Sequence, residues 1–440
     1  MANRRIAIVG GGAAGLAAAI TASRQGAHVI VLEHKDRVGK KILATGNGRC
    51  NYTNAKMDPS CFYAGDQRGG VDSPLITSLL KRYPTEKILD FFTEIGIEPS
   101  ERDGYYYPAS GQAAAVLDCL RAECDRLGVE IHCNSDVLGI QLVTGGFRIK
   151  VRTIESEQEG AAEKSGRTEK SGKIEKRGST SNLKVDRVIL CCGGQASPVT
   201  GSDGSGYSLA MDLGHRIVTP FPALTGLKAD PKRFKPLAGI RARVCASLTV
   251  DGKSIRQEEG ELQLTENGLS GIVIFQLSHP AIYSHLQKKK TEIHINFLPQ
   301  WAEGDVFGRL RQRRDQLGHK ELQEWGVGLF PKKLWLQMCK EAGLPLMMSA
   351  SQMDNRCLSR LQSVITDFTV PVTGYLGYDR AQVTAGGVDL RDIIAETFES
   401  KKISGMYFAG EILDVDGICG GYNLHFAWAS GMAAAEAACR

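Results

Sequence analysis

Three glycines at fixed spacing, Gly10-x-Gly12-x-x-Gly15, stand directly after the apolar run Ile6 to Val9 and before the Ala-rich stretch Leu16 to Arg24. The pattern suits phosphate binding. Gly10 turns strand into helix, a bare backbone at Gly12 admits a pyrophosphate, and Gly15 lets helix and strand pack closely. The helix N-terminus adds free amides and positive dipole. A second short strand, His28 to Leu32, ends in Glu33, 18 residues beyond Gly15, where a carboxylate can accept hydrogen bonds from ribose hydroxyls. An acid rather than an arginine there favours an unphosphorylated ribose, which leaves FAD or NAD as the ligand.

Elements that could position such a site recur along the chain. Val185 to Leu190 reads as a buried strand running through Cys191-Cys192 into Gly193-Gly194. Far downstream, Gly405 to Phe408 is a third strand that reaches Gly410-Glu411, and Gly420-Gly421 opens a helix of small residues ending at Ala438. A closing helix of this kind can aim its N-terminal amides at a flavin pyrimidine, where negative charge develops on reduction. That choice favours FAD.

Composition sets the frame. At ~150 residues per domain, 440 residues amount to roughly three domains. Fifty glycines are about 11% of the chain, against ~7% on average. Net charge is only +5, so no dominant electrostatic partner is implied, and neither nucleic acid nor membrane is expected. The twelve cysteines show no Cys-x-x-Cys and no zinc spacing, which reads as reduced thiols in a cytoplasmic protein. Arg4-Arg5 precedes an uncharged run from Ile6 to Ser23 that imitates a twin-arginine signal, but Gly10, Gly11, Gly12 and Gly15 would weaken a signal helix.

Three longer motifs carry a resemblance. They are Gly39-Lys-Lys-Ile-Leu-Ala-Thr-Gly-Asn-Gly-Arg-Cys-Asn51-Tyr-Thr-Asn54, Gln382-Val-Thr-Ala-Gly-Gly-Val388, and Tyr407-Phe-Ala-Gly-Glu411 through Gly420-Gly-Tyr-Asn-Leu424. Together they resemble the BaiN/YhiN-like family of bacterial NAD(P)/FAD-dependent oxidoreductases, some of which carry the aminoacetone-oxidase-family label. The resemblance covers essentially the whole chain. It implies bound FAD, a split FAD domain and redox chemistry at the flavin, without fixing a substrate. Carried over by position, Gly10, Gly12, Gly15 and Glu33 match the ADP-binding part. Lys41 and the loop Thr45, Gly46, Asn47, Gly48, Arg49, Cys50 and Asn51 match the segment beside the flavin. Gly193 and Gly194 match the crossover strand, and Gly410, Glu411, Gly421, Tyr422, Asn423 and Leu424 the ribitol and isoalloxazine end. Ala13, Ala14, His34 and Val137 complete the expected cofactor-binding set. Glu266 stands where many relatives have His, and Ile272 where many have Pro, so no histidine-based proton transfer is carried over.

The expected fold is α/β: a Rossmann-type FAD-binding domain, residues 1–219 and 366–440, split by a β-barrel-like insert, 220–269 and 343–365, with a helical insert at 270–342. Helical patterns are clearest at Asp305 to Leu317 and Lys332 to Glu341. Residues 155–182 are rich in charge, hold the repeat Glu163-Lys-Ser-Gly, Glu169-Lys-Ser-Gly, and are expected to form a mobile loop.

Hydride transfer through flavin N5 is the expected chemistry. The leading version is reduction of an unsaturated or carbonyl-conjugated small molecule by transiently docked NADH or NADPH, since no second complete glycine fingerprint follows a strand. Oxidation of a small amine or alcohol is the alternative, and a non-catalytic FAD-binding regulator or RNA-associated protein is the reading from another class. Catalytic candidates are few. Cys50 could be a redox thiol but lacks a second cysteine close by; Asp414 and Asp416 could donate protons or simply cap a turn. His425 reads as a core histidine before it reads as an acid or base. Tyr105, Tyr106 and Tyr107 could stack on a flat substrate or pack internally. Arg309, Arg311, Arg313 and Arg314 read as a solvated helix face. Oligomeric state is open.

Overall fold

The computed structural model describes residues 4–65, 73–154, 178–302 and 305–440. The chain divides into two compact units, Met1–Phe221 with Val383–Arg440, and Pro222–Gln382.

The first unit is built on a five-stranded parallel sheet in the order Met406–Phe408, Arg187–Leu190, Arg5–Val9, His28–Leu32, Glu130–His132. Its central strands are unbroken apolar runs because both faces are covered: Ile6, Ala7, Ile8, Ile30, Val31, Ile189 and Leu190 have no exposed surface. Helix Ala13–Arg24 follows the first strand, and helix Tyr422–Ala438 packs against it so closely that a Cβ at Gly431 would overlap the Ala14 carbonyl oxygen. Alanine and glycine on these helices therefore serve close backbone approach. An antiparallel meander, Ser135–Val143, Gly146–Ile154 and Gly178–Val185, forms a second layer of strands.

That meander corrects one expectation. Of the expected mobile loop 155–182, residues 155–177 lie outside the described residues, but Gly178 to Asn182 is strand, paired in register from Gly178 with Ile154 to Asn182 with Lys150. A ladder needs only an ordered neighbouring backbone, and exposed polar side chains do not prevent it.

The second unit carries a seven-stranded antiparallel sheet in the order Phe368–Pro371, Thr291–Asn296, Arg241–Val250, Lys253–Thr265, Gly268–Ser270, Leu227–Lys228, Gly374–Tyr375. Its two edge strands are separated by only Val372 and Thr373, whose amides donate to the carbonyls of Thr291 and Lys228. Seven strands laid flat would span roughly 29 Å, while so short a link reaches about 10 Å. The sheet must therefore curl until its edges meet. Helix Ile272–Leu286 packs on it, and helices Asp305–Leu317 and Lys332–Glu341 occupy the stretches where the sequence pattern is helical.

Two boundaries differ from expectation. Residues 355–365, assigned to the barrel-like flank, belong to the helix Asn355–Thr366, with Asp354 capping the Cys357 amide and Leu358, Leu361 and Ile365 buried at helical spacing. The strands that complete the sheet, Phe368–Pro371 and Gly374–Tyr375, fall in sequence assigned to the returning FAD domain; the return lies at Val383.

Candidate dinucleotide and flavin site

The glycine turn separates into positions with different duties. A Cβ at Gly10 would overlap the Cys191 carbonyl and one at Gly15 the Gly10 carbonyl oxygen, so packing alone demands glycine at both. At Gly12 a Cβ would meet nothing within 4 Å, leaving open space at the start of a helix with no side-chain cap and no acid in its first turn. Uncapped amides facing free space are what a pyrophosphate requires, so the cradle fits a dinucleotide.

Glu33, only 8% exposed, fixes the turn. Its Oε2 accepts from the Gly11 amide at 2.9 Å and its Oε1 from the Lys35 amide at 2.8 Å, and each oxygen keeps lone-pair capacity for a ribose hydroxyl. His34 lies alongside, Nδ1 3.5 Å from Glu33 Oε1. The Ser135 amide donates to the Glu33 carbonyl, which brings Val137 on the same strand to this end of the sheet. Ala14 touches the position where a Gly410 side chain would start, 2.8 Å away, and Ala13 begins the helix.

Helix Tyr422–Ala438 links this end to the other. Gly431 abuts Ala14, and Gly421 lies ten residues earlier, about 15 Å along the axis, the direction in which an extended dinucleotide would run. At that far end Gly421 starts the helix, again without a side-chain cap. The Asn51 amide is oriented so that its oxygen accepts from the Gly421 amide at 3.2 Å while its nitrogen donates to the carbonyls of Thr53 and Tyr106. Asn423 pairs through both amide atoms with the backbone of Gly417, 2.8 Å each way, and Tyr422 meets Phe62 edge-on, with Leu424 half-buried beside them.

Between the two ends runs a polar chain. Lys41 Nζ donates to Glu411 Oε2 at 2.8 Å, Glu411 Oε1 accepts from the Thr384 amide at 3.0 Å, and Thr384 Oγ1 accepts from the amides of Gln195 and Ala196 at 2.7 and 2.9 Å. A Cβ at Gly194 would collide with Thr384, while Gly193 faces Ser202. The Gly410 amide donates to Ser430 Oγ at 2.9 Å. Thr384 and Ser430 escaped the sequence reading as site residues. The Gln382–Val388 motif holds Thr384, yet only the fold shows its hydroxyl joining two glycine turns.

Loop Thr45 to Asn51 is bent into an uncommon shape. Gly46, Asn47, Gly48 and Cys50 all have positive φ, which costs energy for Asn47 and Cys50. Cys50 is fully buried, its amide bonds to the Thr45 carbonyl, and desolvation pushes its thiol up to about 12, so it is not a thiolate nucleophile. His425 is equally enclosed. Nδ1 accepts from Thr53 Oγ1 at 2.8 Å, Nε2–H donates to the Tyr83 carbonyl at 3.0 Å, and burial lowers its pKa to about 4, so it is a neutral structural ring. Asp414 and Asp416 are both buried. Tyr105 to Tyr107 lie on a strand just after a turn: Tyr105–Pro108 pairs with Thr53–Asn54 on one side and Pro99–Arg102 on the other. All twelve cysteines are free, and among the described residues no cluster could hold a metal and no helix is long and apolar enough to cross a membrane.

Comparison with known proteins gives a family, two relatives and a structural neighbour. Residues 4–437 match the family described as HI0933-like protein Rossmann domain. The chain is 36% identical, over 99% of its length and 98% of the other protein, to the 3-dehydro-bile acid delta(4,6)-reductase of Clostridium scindens. It is 28% identical to the ribosomal RNA dihydrouridine synthase of Escherichia coli, covering 98% and 96% of the two chains. Among solved structures, the 3-ketosteroid-delta4-(5alpha)-dehydrogenase of Rhodococcus jostii RHA1 aligns over 100% of this chain and 97% of that one, at 15% identity and a TM-score of 0.50, a likeness of fold.

Proposed function

This chain belongs to the HI0933-like family of Rossmann-domain flavoenzymes and is a FAD-dependent oxidoreductase; from that premise we propose that it reduces a carbon–carbon double bond conjugated to a carbonyl in a small molecule, drawing electrons from NADH or NADPH. The observation that carries the reading is full-length identity of 36% to a protein named as a delta(4,6)-reductase. The relatives named as dihydrouridine synthases point the same way chemically, because dihydrouridine is uridine with the double bond beside its carbonyl saturated.

Bound FAD would supply hydride transfer at its N5. The protein's part is binding and electrostatics. Amides of Ala13 and Ala14 would hold the pyrophosphate, and the Glu33 carboxylate a ribose. Lys41, Glu411 and Thr384 lock the turns at Gly194 and Gly410 against one another. Amides at the start of helix Tyr422–Ala438 would stabilise negative charge at the pyrimidine end.

A second reading, reduction of uracil within RNA, rests on the 28% relatives. It is disfavoured by the arginine helix: Arg309 is paired with Asp305, Arg313 donates to the Trp325 carbonyl, and Arg314 donates to Asp315 and the Met353 carbonyl, which leaves few cations there for phosphates.

Anaerobic mixing of holoenzyme with NADH or NADPH should bleach the flavin absorbance, and a 4-en-3-one steroid or cyclohex-2-enone should restore it. Bleaching by small amines but by neither nicotinamide would overturn the reading in favour of an oxidase. Reoxidation by unmodified ribosomal RNA and by no enone would favour the RNA reading.

A further inference from the structure

Arg49 is the exposed cation of the bent loop, and its setting is specific. It follows three successive residues of positive φ, Gly46, Asn47 and Gly48, and precedes a fourth at Cys50. The loop is held in that shape from several sides: Thr45 Oγ1 donates to the Ile42 carbonyl, the Cys50 amide to the Thr45 carbonyl, and Asn51 reaches the amide of Gly421, the residue just before the closing helix. Arg49 is thereby tied to the end of the cradle where that helix begins.

Its guanidinium carbon stands over the Tyr107 ring at 5.1 Å from the centroid. Nε leans toward the Gly46 carbonyl at 3.4 Å. A guanidinium resting on an aromatic face keeps its in-plane N–H groups available, and Nη1 and Nη2 form a fork suited to an oxygen anion. Tyr107 is half-buried on a strand paired with Pro99–Arg102, so the platform is rigid while the cation above it faces outward.

We propose that Arg49, stacked on Tyr107, is an oxyanion subsite that receives the carbonyl oxygen of a planar conjugated substrate. The inference deepens the double-bond reductase reading and rests on it. When hydride from the reduced flavin adds to the β-carbon, the π electron pair moves through the α-carbon onto the carbonyl oxygen. The resulting enolate is held by the Arg49 fork, and a proton from solvent then adds at the α-carbon to give the saturated ketone. Two electrons enter as hydride and one proton follows, so the sum is balanced by NAD(P)H oxidation at the flavin. Tyr107 acts as a positioning residue through its ring face.

Two measurements test the subsite, both on holoenzyme with FAD content determined first. Oxidised enzyme titrated at pH 7 with 4-chlorophenol, neutral in bulk solution at that pH, should bind it as the phenolate and develop a long-wavelength charge-transfer band. Arg49→Ala should abolish the band and lower kcat on cyclohex-2-enone about 100-fold, the usual loss for one oxyanion donor, with Arg49→Lys recovering part of both. Tyr107→Phe should keep the band and Tyr107→Leu weaken it, because the face and not the hydroxyl matters. Absence of the band in the wild-type protein, or its survival in Arg49→Ala with FAD retained, overturns the subsite. A substrate that is instead anchored by a pendant carboxylate would lose binding on methyl esterification in the wild type and not in Arg49→Ala, with 4-chlorophenol unbound, and that result also overturns it. Failure of every enone to reoxidise reduced enzyme that still binds the phenolate would sink the reductase reading and leave the subsite standing.

Discussion

The two ends of the cradle are made in different ways. At the pyrophosphate end, one contiguous stretch from Arg5 to Lys35 supplies strand, turn, helix, second strand and acid, and its closest contacts are backbone on backbone. At the ring end, Lys41, Asn51, Gly194, Thr384, Glu411 and Gly421 come from separate segments joined by side-chain hydrogen bonds. The first end is fixed mainly by excluded volume with one buried carboxylate, Glu33, and the second mainly by side-chain hydrogen bonds between segments. They should fail differently.

The sharpest break concerns Gly15. Gly15→Ala forces a Cβ into the Gly10 carbonyl and should cost about 3 kcal/mol or more in stability, with FAD lost on purification, whereas Gly12→Ala should cost less than ~0.5 kcal/mol while still weakening FAD retention. Thermal melts alongside flavin-to-protein ratios separate the two, and equal damage at both positions would erase the distinction between a packing glycine and a ligand glycine.

At the ring end Thr384→Val keeps the shape and removes the oxygen that serves the Gln195 and Ala196 amides. Each orphaned amide costs roughly 1–3 kcal/mol, so a loss of about 2–6 kcal/mol is expected, and Thr384→Ser should restore most of it. Equal stability of the Val and Ser variants would show that packing governs this end as well.

The smallest effect is confined to acid. His425 is held near pKa 4 against 6.5 when unfolded, so the unfolded chain takes up the proton first as pH falls. Its contribution is complete above pH 6.5 and declines between 6.5 and 4, by up to about 3 kcal/mol. His425→Gln should flatten that part of a melting-temperature profile; an unchanged slope would place the acid sensitivity elsewhere.

The same contrast explains what was legible in the sequence. The pyrophosphate end could be read from spacing because its determinants are neighbours in sequence, and the helices at Asp305 and Lys332 from their apolar period. Thr384 and Ser430 could not, since neither residue type nor spacing records a partner 188 or 20 residues away. Assigning the flank 355–365 to the barrel overlooks Leu358, Leu361 and Ile365, which recur at helical spacing behind an Asp354 cap, so the signal for a helix lies in the local pattern itself. Cys50 and His425 attracted attention by type; burial removed both from acid–base and thiolate chemistry.

The two-residue link at Val372–Thr373 has a consequence for how the protein is made. Once Gly374–Tyr375, just beyond it, has been synthesised, every strand of the curled sheet exists. The Rossmann sheet is still unfinished at that moment: strand Arg187–Leu190 waits for Met406–Phe408, and helix Ala13–Arg24 for Tyr422–Ala438. At about 5–20 residues per second the wait between those paired strands is roughly 10–40 s. The interrupting sheet thus has all its strands available before the Rossmann sheet has its last one.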